Sequence, residues 1–163
     1  MKKPILAAAF VLALTAAQAA DFPHLPPLKE GLWKIRLINS SPGEKTSDTT
    51  ENLCRNHAYD QQVDTMARKQ FAACSSLTDT QSGNKHLISM TCKVGNSTIT
   101  THDTVTIDGD THYHSEILST FNPPLYGESQ STMIQDQTYL GACPANMHPG
   151  DRQLANGTVQ PHR

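Results

Sequence analysis

With 13 basic and 15 acidic side chains spread over 163 residues, the chain has no Lys/Arg cluster to neutralise phosphates, which argues against nucleic acid as a partner. Charged residues make up only 17%, and Thr, Ser, Gln and Asn abound, a balance that suits exposed antiparallel strands. The length fits one domain with a modest core.

Met1-Lys2-Lys3 is a short basic start, Ile5 to Leu14 is an apolar run, and Ala17-Gln18-Ala19 supplies small residues for cleavage. This is the pattern of a secretory signal peptide over 1–19. The apolar run is shorter than the roughly 20 residues that span a bilayer, and a periplasmic location with no transmembrane segment after cleavage is expected. Residues 20–30 contain Pro23, Pro26 and Pro27 and read as a lead-in that runs extended along the surface. Residues 31–143 read as a single β-rich domain.

From Gly31 to Asn39, Trp33, Ile35 and Leu37 share one side and Lys34 and Arg36 the other, the period of a half-buried strand with Trp33 as its core anchor. After a turn at Ser41-Pro42-Gly43-Glu44, Thr46 to Cys54 returns as a second strand. The period then changes. Tyr59, Val63, Met66, Ala67 and Phe71 recur at helical spacing, with Asp60 and Asp64 early and Arg68 and Lys69 late, so a helix is expected over 56–72. Core packing is the favoured role for its Met and aromatic stripe, ahead of lining a pocket.

Strands follow over Ser75 to Gln81 and His86 to Val94, separated by short turn signals. Thr98 to Ile107 and Thr111 to Phe121 then read as a long hairpin turning at Asp108-Gly109-Asp110. A three-residue loop collects the apolar residues on one face by pairing Ile107 with Thr111, Val105 with Tyr113 and Thr101 with Ile117. The other face then carries His102, His112, His114 and Glu116, with His102 directly across from Glu116. Asn122-Pro123-Pro124 is expected to end the hairpin, since proline cannot donate to a ladder. Gln130 to Ala142 reads as a last strand, and 144–163 as an irregular tail.

The four cysteines, in a chain bound for an oxidising compartment, read as two disulfides. Three connectivities are open. The favoured one joins Cys54 to Cys74, across the helix, and Cys92 to Cys143, tying an earlier strand to the last.

Leu28-Lys29-Glu30-Gly31-Leu32-Trp33, a Cys on either side of a helix, a third Cys on a strand, Gly109-Asp110-Thr111-His112-Tyr113 and a closing Gly141-Ala142-Cys143 together resemble DUF3617, a family of bacterial exported proteins of unassigned activity. The piece from Cys143 to Asp151 is similar to the tail many members carry. The resemblance implies export, two disulfides and a β-rich domain, and supplies no catalytic residues. Lys34 departs from it, standing where an acidic residue is common.

The expected fold is mainly β (α+β): a curved antiparallel sheet of about seven strands, either open or barrel-like, with one helix. His102, His114 and Glu116 are the best-placed candidates for a zinc or copper site, since two imidazoles and a carboxylate can hold either metal. No cofactor is implied, and neither a nucleophile elbow nor a phosphate-cradling loop is present. The leading expectation is a non-enzymatic periplasmic protein of the cell envelope, whose bent sheet and helix make a cup for an apolar envelope molecule or whose exposed strand docks another protein. A metal-binding protein and an unrecognised hydrolase are the alternatives.

Overall fold

A computed structural model describes residues 22–72 and 74–162, so the signal peptide read at 1–19 lies outside the described residues. The alternation that begins at Gly31 makes β1 (Gly31–Ser40), followed by β2 (Ser47–Arg55), α1 (His57–Phe71), β3 (Ser76–Ser82) and β4 (Lys85–Val94). Then come β5 (Ser97–Asp108), β6 (His112–Leu125), β7 (Glu128–Gly141), β8 (Arg152–Leu154) and β9 (Val159–Gln160). All nine strands of the described residues join one antiparallel sheet in the order β3-β4-β5-β6-β7-β1-β2-β8-β9. Its end strands β3 and β9 do not meet, so the sheet is open rather than a barrel. Strands β3 to β7 form a sequential meander. The first two strands are appended after the last long one, so β1 lies between β2 and β7.

That insertion decides the cysteine pairing. Leu32 on β1 stands opposite Cys54 on β2 and Gly141 on β7. Cys54 and Cys143 therefore reach each other across β1 and are bonded, with Cα atoms 5.6 Å apart. Cys74, just after the helix, bonds to Cys92 on β4. Two disulfides are present, but the favoured pairing of Cys54 with Cys74 and Cys92 with Cys143 is replaced. It would have required β4 and the end of β7 to be neighbours, and β5 and β6 separate them.

The hairpin partition of faces holds while its register moves by two. Asp108 pairs with His112, Val105 with Ser115 and Thr104 with Glu116, around a loop of Gly109, Asp110 and Thr111 with Gly109 at φ 61°. Because side chains alternate with period two, a shift of two keeps Val105 and Ile107 on the inner face. The prolines end the hairpin ladder as expected, since the last β5–β6 pair is Thr98 with Asn122, although β6 itself continues to Leu125. They also interrupt the β6–β7 ladder, whose register shifts between Thr120 and Leu125, the stretch in which two residues lack an N–H.

The tail is also more regular than expected. β8 adds to β2 and β9 to β8. Met147 and Asp151 are buried, and Asp151 accepts backbone N–H bonds from His148 and His162 at 2.7 and 2.9 Å. Those donors hold its carboxyl below the usual aspartate range.

The core lies on the inner face. Trp33 and Val105 are fully buried beside Leu28, Ile88 and Ile107. The Trp33 indole donates to the Lys29 carbonyl at 2.8 Å and meets Tyr139 edge-on at 5.8 Å. Gly31, at φ 140°, lies so close to β7 that a Cβ there would fall on the Gly141 carbonyl oxygen and the Tyr139 ring.

Candidate functional site

The helix forms where the sequence places it, and its start is well specified. Asn56 is the N-cap, extended at φ −140°, and its side chain accepts from the Tyr59 amide at 2.8 Å. Arg68 closes an i,i+4 pair on Asp64 at 2.8 Å. Half-buried Arg55, at the end of β2, clamps the first turn to the sheet: its guanidinium binds Asp60 at 2.9 Å and the Gln137 side-chain oxygen at 2.9 Å, and lies 5.4 Å over the Trp33 ring.

Beyond that clamp the helix does not settle onto the sheet. No residue of α1 is buried; Val63 is 41% exposed and Met66 49%. The expectation that its apolar stripe packs in the core is therefore corrected. Tyr59, Val63, Ala67 and Phe71 instead form one wall of a cavity of about 690 Å³, with Met66 outside it. The facing wall is the inner surface of the sheet, with Ile35, Leu53, Ile88, Met90, Ile107 and Tyr113.

The proline-rich lead-in makes the third wall. Its expected course along the surface is only partly right, because Pro23 and Leu28 are buried and Phe22 to Leu28 line the cavity. One end is moored by Lys29, whose amide donates to the Asp110 carbonyl in the β5–β6 turn at 2.8 Å. The other meets the end of the helix, where Phe22 stacks with Phe71 at 6.3 Å and Arg68 lies 4.6 Å over the Phe22 ring.

Polar side chains interrupt this lining on each wall, among them His24, Asp60, Arg55, Asp103 and Gln137. Asp103, on β5, accepts from the fully buried Ser115 hydroxyl at 2.7 Å. Burial pushes its carboxyl above the usual aspartate range, with the Ser115 bond opposing. Burial, joined by the nearby Asp103 charge, raises the Tyr113 phenol to about 12. The hairpin pattern had a signal for this cluster, since Asp103 is a charged residue on the face that collects Val105 and Ile107.

The residues singled out for metal sit on the other, outer face. His114 contacts Asp136 at 2.6 Å and Glu116 at 3.1 Å, and these two hydrogen bonds raise its pKa above the ordinary histidine value. His102 does not join them. The register places it opposite Leu118 on β6 and Ser89 on β4, and its Nδ1 lies 2.9 Å from the Ser89 hydroxyl. Among the described residues, no group of three or more His, Cys, Asp or Glu side chains is arranged to hold a metal ion. The Ser89–His102 contact is exposed on this face rather than set in the cavity.

A family model described as "Protein of unknown function (DUF3617)" matches residues 28–143. No curated protein and no solved structure matches the chain. Among the described residues, no helix is long and apolar enough to cross a membrane.

Proposed function

This chain belongs to the DUF3617 family, whose activity is unassigned, and we propose from its cavity that it is a non-enzymatic binding protein of the periplasm that holds an apolar envelope molecule. One observation carries the reading: an amphipathic helix, clamped at its first turn, has none of its apolar stripe buried and turns that stripe onto a cavity. A helix of this kind gains stability in a protein by burying its apolar face. Here the sheet leaves space for another molecule to do the covering. The volume lies within the 300–1,000 Å³ or so typical of small-molecule sites. The signal-peptide pattern and two disulfides fit an exported protein in an oxidising compartment.

Native mass spectrometry of protein recovered from the periplasm, compared with the same sample denatured, tests this reading. The expected result is a lipid-sized adduct that denaturation removes. Emptied protein should also brighten the apolar fluorophore N-phenyl-1-naphthylamine, and Val63→Asp should abolish that signal without unfolding the sheet. Absence of both adduct and fluorophore binding overturns the reading and turns the search to a protein partner.

A further inference from the structure

The two cationic side chains of the cavity wall that come from Arg are already engaged. Arg55 is held by Asp60 and Gln137, and Arg68 by Asp64. His57 has its ring directed to the Leu28 carbonyl at 3.1 Å and to Glu30 at 3.5 Å, and His24 stands on the lead-in wall. Against these paired groups, Asp103 differs. It lines the cavity from the sheet side with one hydroxyl donor and, among the described residues, no salt-bridge cation. A carboxyl or carboxylate so placed has acceptor capacity beyond the single Ser115 bond. An anionic head beside it would meet like charge without a released Arg to offset it.

We infer that the cavity takes a single-chain amphiphile whose head donates hydrogen bonds and bears no negative charge, an amine or a hydroxyl, seated on Asp103 with its apolar tail between α1 and the sheet. This rests on the binding reading above and adds the chemistry of the ligand. The tail would lie along Val63 and Phe71 on one side and Ile88 and Met90 on the other. Ser115, buried and fixed by the strand, is the positioning residue that holds the Asp103 carboxyl toward the head.

The test is displacement of N-phenyl-1-naphthylamine from the mature, disulfide-bonded protein by decylamine, decanol and decanoate, which share a tail and differ in the head. Decylamine and decanol should displace the fluorophore at concentrations about tenfold or more below decanoate, the size expected for one good hydrogen bond or charge contact. In Asp103→Asn, checked for folding by its thermal transition, that preference should shrink to within about threefold. If the fluorophore and all three probes fail to bind, the cavity reading itself falls. If they bind with decanoate equal or tighter, only the head-group inference is overturned. A preference that survives unchanged in Asp103→Asn overturns the assignment to Asp103, and the wild-type comparison stands even if that variant does not fold.

Discussion

The strand that carries Trp33 and the helix that carries Val63 both present a periodic apolar stripe, yet they end in opposite circumstances. Trp33 is fully buried, bonded through its indole N–H and flanked by Tyr139. Val63 is 41% exposed on a helix with no buried residue. The strand is covered because β2 and β7 pair with it on both sides and Leu28 and Val105 fill the space around its anchor. The helix is held at its first turn by Arg55 and just past its end by the Cys74–Cys92 disulfide, and between these it stands off the sheet. A stripe announces which side of an element seeks cover, and the surroundings determine whether the rest of the chain supplies it.

The largest perturbation that sharpens this contrast is removal of the disulfides. Replacing Cys54 and Cys143 by Ser opens a linkage with sequence separation 89, for which loop entropy predicts a loss of about 4.6 kcal/mol. The Cys74 and Cys92 pair, with separation 18, should cost about 3 kcal/mol in the same denaturant titration. The reverse order would mean that the helix end, not the packed β7-β1-β2 side, limits stability.

Single side chains come next. Trp33→Ala should lose about 3–5 kcal/mol, as large-to-small changes in a dense core do. Val63→Ala in emptied protein should move stability by less than about 1 kcal/mol while weakening fluorophore binding. Equal losses at the two sites would erase the contrast between them. Gly31→Ala should cost about 1–3 kcal/mol, because φ 140° is strained for a side chain and a Cβ has no room against Gly141.

The smallest effect is on the outer face. The pKa of His114 is raised by Asp136 and then Glu116, so its contribution is fully present below the unfolded histidine value near 6.5 and is lost as pH rises through the folded value. The ring is 39% exposed, and solvent screening holds the effect below about 1 kcal/mol. Comparing wild type with His114→Gln in urea at pH 5.5 and pH 8.5 should show a deficit only at the lower pH. A deficit of the same size at both would mean that the His114 charge is not what stabilises.

Much of the fold was legible because it is written in short-range patterns. Alternation marked β1 and the hairpin faces, and Asn56 with the spacing of Tyr59, Val63 and Phe71 marked the helix. Contacts between distant segments were not legible. The expected register put His102 across from Glu116, but pairing can slip by two without disturbing which face is apolar, so alternation alone cannot choose between them. The polar groups of the cavity were half-visible: Asp103 breaks the apolar face of β5, whereas Arg55 and Gln137 meet only because β2 and β7 both flank β1.

By itself, the sequence determined the β-rich class, the position and polarity of the helix, and which side of β1, β5 and β6 turns inward, since these follow from side-chain periodicity and local backbone preference. Only the tertiary structure decided the rest: that the sheet stays open, that β1 enters between β7 and β2 and brings Cys54 to Cys143, and that α1 stands clear of the sheet. These depend on strand order and long-range packing, which join residues far apart in the chain and leave no periodic trace along it.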